Sequence, residues 1–208
     1  SGRIGNAGQT CCASKRFLVQ RGIYDRFAMA LKNRLEQLKI GDPADPSVEL
    51  GPVIRKEAAA VVTAQIQKTL DQGGTLVCGG NRTGAFVAPT VILTPKTADI
   101  AKDMEVFGPV FPLIPFETEQ EAVEIANQTC YGLSSGVMTA DMGKAVRTAM
   151  QLQTGACILG GSGNYRLAHQ PFGGYKLSGL GREGAVSTLE EMTQQKTISL
   201  KGILNGGL

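Results

Sequence analysis

Cys11 is the first residue of this sequence whose surroundings suit chemistry. It follows Asn6-Ala-Gly-Gln-Thr, a small and polar run typical of a tight turn, and precedes Cys-Ala-Ser-Lys, which can open a helix. A thiolate at a helix N-terminus faces unpaired N–H groups and the positive end of the macrodipole, which lowers its pKa toward the range where it attacks carbonyl carbon. Cys12, Cys78, Cys130 and Cys157 are expected to be inert thiols, the last three in strand-like or helix-end positions. Five cysteines, odd in number and scattered, do not make a disulfide framework, and reduced thiols fit a cytoplasmic setting. No metal is expected, because His169 is the sole histidine and no Cys-x-x-Cys pair completes a tetrahedral set. Cys11 with His169 as its base would make a cysteine hydrolase, since thiol and imidazole together are a general solution to acyl transfer. Gly179-Leu-Gly-Arg-Glu-Gly184 has the spacing of a dinucleotide fingerprint, but it lacks the preceding strand and the following βαβ unit with an acidic ribose partner. It is assigned to backbone turns.

A nucleophile needs a scaffold, and the hydrophobic pattern outlines one. Residues 16–20 read as a short buried strand, and Ile23, Phe27, Leu31, Leu35 and Leu38 follow at helical spacing until Gly-Asp-Pro-Ala-Asp-Pro breaks the pattern. A second helix is expected from about Lys56 to Gln72, closed by Gly73 and Gly74, with Thr-Leu-Val-Cys-Gly as the next strand. The alternation continues with a strand over 110–116, a helix over 118–128 opened by a Thr118–Glu121 capping box, a strand over 133–139, a helix over 141–151 and a strand over 155–160. Strands alternating with helices predict an α/β fold, a layered and mostly parallel sheet with helices on both faces. Residues 160–184 are too rich in glycine for a packed element and read as a multiply turned, functional loop. After one more helical segment, Gln-Gln-Lys-Thr-Ile-Ser-Leu-Lys-Gly alternates as a strand would, with few residues left to cover it; its partner is expected on another chain.

Asn-x-Gly-Gln-x-Cys followed by a small residue resembles the active-site signature of the aldehyde dehydrogenase family. Four further segments resemble that family in order: Lys-Ile-Gly-Asp-Pro through Gly-Pro-Val-Ile, Gly-Gly-Thr-Leu-Val-Cys-Gly-Gly, Met-Glu-Val-Phe-Gly-Pro-Val, and Pro-Phe-Gly-Gly-Tyr-Lys-Leu-Ser-Gly-Leu-Gly-Arg-Glu-Gly. The resemblance covers essentially the whole chain and implies a catalytic domain over residues 1–192, with an oligomerisation strand and tail over 193–208. It implies that Cys11 adds to an aldehyde to give a thiohemiacetal, which passes hydride to NAD or NADP and becomes a thioester that water releases as acid. The backbone N–H of Cys11 would meet the developing oxyanion. Glu105 would hydrogen-bond the nicotinamide ribose and Phe107 would lie beside the ring; without their Phe-Gly-Pro-Val context the two would read as a helix-end charge and a core aromatic. Thr10 and Cys12 would line the substrate pocket. Arg166 and His169 fall where the family shapes its substrate tunnel. A cation at Arg166 would favour an anionic aldehyde, in keeping with a general likeness to succinate-semialdehyde dehydrogenases. Gly160 stands where the family usually carries Asn, and Ile4 where many members carry Phe.

The same resemblance implies a longer enzyme. The cofactor domain and the Glu that activates the deacylating water precede this segment in the family, so the 208 residues alone are expected to give no turnover. A homo-oligomer, dimer or tetramer, is implied for the full-length protein, with a small aldehyde as its substrate.

Composition excludes other classes. The chain has 208 residues, enough to bury a core, and a net charge of +3, too small for phosphate neutralisation to drive binding to nucleic acid. No run approaches the roughly 18 apolar residues of a membrane span, so no membrane partner is expected. A non-catalytic alternative remains at this level, an assembly module whose last strand joins a partner's sheet.

Overall fold

The computed structural model describes residues 2–202. Most predicted elements are present, with further short strands among them: β1 (Phe17–Gln20), α1 (Tyr24–Glu36), α2 (Lys56–Asp71), β2 (Thr75–Cys78), β3 (Arg82–Thr83), β4 (Phe86–Val87), β5 (Thr90–Leu93), β6 (Val110–Phe116), α3 (Glu119–Asn127), β7 (Tyr131–Gly132), β8 (Ser134–Val137), α4 (Met142–Gln151), β9 (Ala156–Leu159), β10 (Tyr175–Lys176) and α5 (Ala185–Met192). The main sheet has the order β1-β6-β5-β2, parallel across its first three strands and antiparallel at the β2 edge. Strands β8 and β9 form a second parallel pair, while β3 with β4 and β7 with β10 are short antiparallel pairs.

Both faces of the main sheet are covered, and the side chains of β5 and β6 alternate between them. Val91, Phe111 and Leu113 join Val19 of β1 and pack under Tyr24, Ala28 and Leu35 of α1. Ile92 and Val110 turn the other way, against Ala59, Val62 and Ile66 of α2. Ile114 faces Ile125 of α3 on that second side. A period of two in the strands and an apolar stripe on each helix produce this sandwich of helix, sheet and helix. The expected layered α/β class is therefore observed.

Three local differences have physical causes. Strand β5 escapes the sequence reading because Val91 and Ile92 are both fully buried, so polar alternation is absent, and the short run sits between Pro89 and Pro95. The capping box at α3 is offset. Thr118 Oγ1 accepts from Glu121 N–H at 3.2 Å, but the Glu121 carboxylate accepts from the N–H of Glu117, one residue before the expected position, at 2.7 Å. The strand expected over 194–202 is not formed: these residues are exposed and join no ladder, because no strand among the described residues lies beside them; the rest of the expected tail, 203–208, lies outside the described residues.

Candidate active site

The segment around Cys11 differs from the expectation in one respect: no helix begins at Cys-Ala-Ser-Lys. Residues 11 and 12 form a turn closed by Ala13 N–H on Thr10 O at 3.0 Å, Ser14 N–H reaches back to Gly2 O at 3.1 Å, and the chain then runs directly into β1. With only a few residues between nucleophile and strand, there is no length for a helix, and no helix dipole acts on the thiol.

The motif residues before Cys11 shape backbone instead. Asn6 and Ala7 both adopt left-handed conformations, φ 52° and 51°, an arrangement that Asn tolerates better than most residues. Gly8 has φ +75°, and a Cβ there would lie 2.3 Å from Gly108 O, so only glycine lets this turn close on the Val106–Gly108 segment. Gln9 fastens the turn, donating to Asn6 O at 3.0 Å and accepting from Ile54 N–H at 2.8 Å. Cys11 is held exposed at its end. Its own N–H donates to no acceptor among the described residues. Cys12 is half-buried; burial first, and the adjacent Cys11 thiol second, push its thiol above the usual range and keep it protonated near neutral pH.

Lys15 draws the distant candidates to this turn. Its Nζ donates to Thr10 O at 3.0 Å and Cys11 O at 3.2 Å. The same ammonium lies 3.6 Å from Glu105 Oε1 and 4.4 Å from the centroid of the Phe107 ring. Glu105 and Phe107 both face outward while Val106 between them is buried in the core. Phe107 keeps 39 % of its surface exposed, so the core-aromatic alternative for it does not hold. Gln65 of α2 anchors the segment by donating to Glu105 O at 3.0 Å. Burial and the repulsion of Arg3 lower the pKa of the Lys15 ammonium, against the opposing pull of Glu105. Arg3 is itself only 1 % exposed and holds the far side of the segment, with Nε on Val110 O at 3.0 Å and Nη2 on Val106 O. Burial lowers its pKa to about 10, Glu105 acting in the other direction.

The Cys11 backbone, Glu105 and Phe107 thus meet around the Lys15 ammonium, with Thr10 and Cys12 on either side of Cys11. Arg166 and His169 do not join them through any contact among the described residues. Arg166 stacks on Phe172, 4.3 Å from its centroid, and lies 3.4 Å from Glu183. It borders an open cavity of about 450 Å³ together with Tyr165, Phe172 and strand β9. His169 is exposed, and no hydrogen bond links it to Cys11. Ser162 of this loop packs closely on Gly2, so that a Cβ at Gly2 would lie 2.6 Å from it. The G-x-G-x-x-G stretch consists of turns: Gly179, Gly181 and Gly184 all have positive φ. The sequence reading missed Lys15 and Arg3. Lys15 was visible only as a cation four residues from the nucleophile, and a buried Arg3 leaves no sequence signal.

Residues 1–198 match the aldehyde dehydrogenase family. A betaine aldehyde dehydrogenase of Cereibacter sphaeroides is 42% identical over 200 residues, covering 95% of this chain and 41% of that protein. The structure of the glyceraldehyde-3-phosphate dehydrogenase GapN from Methanocaldococcus jannaschii, complexed with NADP, superposes with a TM-score of 0.91 at 38% identity, covering 95% of this chain and 43% of that one. A succinate-semialdehyde dehydrogenase from Burkholderia pseudomallei superposes with a TM-score of 0.85 at 36% identity, covering 91% and 41%. The chain therefore spans about two fifths of the length of the curated relatives it matches.

Proposed function

The chain belongs to the aldehyde dehydrogenase family, and from that premise we propose that Cys11 is the nucleophile of an NAD(P)-dependent oxidation of an aldehyde to a carboxylic acid. The observation that carries the reading is the convergence of an exposed Cys11 with outward-facing Glu105 and Phe107 around one ammonium group. In the addition step the Cys11 thiol gives its proton to solvent, its sulfur forms a bond to the carbonyl carbon, the C=O π pair moves to oxygen, and the N–H of Cys11, which has no acceptor among the described residues, is a fixed donor for that charge. Glu105 offers carboxylate oxygens to ribose hydroxyls and Phe107 an exposed ring face, so the residues present fit the nicotinamide end of the cofactor. When bound, NAD(P)+ supplies the hydride acceptor that turns the thiohemiacetal into a thioester, and water releases the acid. Thr10 and Cys12 flank the attacked carbon. An aldehyde that carries a carboxylate would compete with Glu183 for Arg166.

An activated ester tests the nucleophile without cofactor. With p-nitrophenyl acetate the Cys11 S–H is acetylated, the C–O bond to the phenol breaks, and the thiol proton leaves with nitrophenol or solvent. The 208-residue chain is expected to release one equivalent of nitrophenol per chain and Cys11→Ser none, with His169→Ala retaining the full equivalent. No release from the wild-type chain overturns the reading, and loss of release in His169→Ala moves it to a cysteine hydrolase. In the presence of aldehyde and NAD(P)+ the same chain is expected to give no steady NAD(P)H; sustained production would contradict that part.

A further inference from the structure

We propose that Lys15 is the positioning residue of this site, setting the peptide plane between Thr10 and Cys11 so that the Cys11 N–H points at the oxygen of the attacked carbonyl. The inference rests on the reading of Cys11 as nucleophile and adds a residue to it. A trans peptide is planar, with its C=O and N–H on opposite sides, so fixing the Thr10 carbonyl fixes the direction of the Cys11 N–H. The Thr10 oxygen is held twice, by Lys15 Nζ at 3.0 Å and by Ala13 N–H at 3.0 Å, while Lys15 also takes the next carbonyl, that of Cys11, at 3.2 Å. Both carbonyls face the ammonium, so the N–H of Cys11 is directed away from it, with no acceptor among the described residues.

The ammonium has fixed supports of its own. Its side chain is 19 % exposed, and Glu105 at 3.6 Å and the Phe107 ring at 4.4 Å hold it from the cofactor side. Lys15 therefore joins the oxyanion donor to the two residues proposed to receive ribose and nicotinamide. Without the ammonium the Thr10 carbonyl would keep one donor, Ala13 N–H, and the Cys11 carbonyl none among the described residues, which loosens this peptide without freeing it.

The test separates positioning from thiol reactivity. Acylation of Cys11 by p-nitrophenyl acetate passes through an oxyanion and needs the N–H, whereas alkylation by iodoacetamide displaces iodide and develops none. Both need the thiolate, so the ratio of the two rates removes any change in thiol ionisation or exposure. Losing an oriented oxyanion donor costs roughly 10²-fold or more in established sites, and a misoriented one about tenfold is the expectation here. In the 208-residue chain, Lys15→Met is expected to lower the acylation-to-alkylation ratio about tenfold, and Lys15→Arg, which keeps a cation with several donors, to recover most of it. An unchanged ratio in Lys15→Met, or an equal fall in Lys15→Arg, overturns the role of Lys15. If Lys15→Met does not fold, Glu105→Gln removes one support of the ammonium and is expected to lower the ratio by a smaller factor; no change there overturns the inference as well. Absence of acylation in the wild-type chain would instead remove the underlying reading of Cys11.

Discussion

At the residue scale, the motif around Cys11, the proposed nucleophile, sets the backbone that leaves this thiol exposed. Asn6, Gly8 and Gln9 were legible as signature residues, and in the folded chain each acts mechanically, through a left-handed turn, a close approach to Gly108 and a tether to Ile54 respectively. Glu105 and Phe107 were legible only through their neighbours, since nearly 100 residues separate them from the nucleophile and no local pattern carries a tertiary contact. Lys15 and Arg3 were not legible, because what makes them matter is which carbonyls lie within reach after folding. Arg166 belongs at this scale too. Its pair with Glu183 is solvent-exposed, and such a pair contributes roughly 1 kcal/mol or less, so a substrate carboxylate can displace it. Succinic semialdehyde is expected to protect Cys11 from iodoacetamide at lower concentration than propionaldehyde, by about threefold to tenfold, and Arg166→Ala to erase the difference. Equal protection by both aldehydes in the wild-type chain would remove the preference for anionic substrates.

At the scale of elements, the strands and helices with a clear pattern were legible: β1, α1, α2, β2, β6, α3, β8, α4 and β9 appear within a few residues of their predicted bounds. The short pairs β3–β4 and β7–β10 were not, because two residues of strand carry no period. The helix expected at Cys11 failed for a different reason, since propensity cannot act where the chain must enter β1 at once. One short connection ties the elements to the site. Asp103, two residues before Glu105, accepts from Cys130 N–H at 2.8 Å and from Thr129 Oγ1 at 2.9 Å, joining the Glu105 segment to the turn after α3. These bonds, the Cys130 N–H first, hold its carboxyl below the usual carboxylate range. A depressed carboxylate stabilises the fold above its unfolded pKa, near 4, and that contribution disappears as pH falls through the folded value. Asp103→Asn is therefore expected to be less stable than wild type in urea at pH 7, with the difference shrinking steadily below about pH 4. A difference that is constant with pH would show that the ionised carboxylate is not what matters there.

At the scale of the molecule, the chain carries a net charge of +3, and the described residues contain no helix long and apolar enough to cross a membrane. Apolar side chains stay exposed at several places, Ile54, Met138, Met150 and Leu180 among them, and the C-terminal segment is one of these. Leu189 and Met192 at the end of α5 and Ile198 and Leu200 beyond it are all exposed, in keeping with the proposed oligomerisation strand over 193–208. Chains ending at residue 192 are expected to sediment as monomers while the 208-residue chain self-associates. A monomeric 208-residue chain at high micromolar concentration would contradict that assignment.

The claim on which the rest depends is that the Cys11 sulfur attacks aldehydes, and it is tested most directly by mapping alkylation at all five cysteines. The chain is treated briefly with iodoacetamide at neutral pH, with and without propionaldehyde, and each cysteine-bearing peptide is quantified by mass spectrometry. Cys11 is expected to be carboxamidomethylated first, and the aldehyde to slow labelling at Cys11 alone, because the thiohemiacetal ties up that sulfur. Faster labelling of Cys12, Cys78, Cys130 or Cys157, or labelling of Cys11 that the aldehyde leaves untouched, would contradict the account.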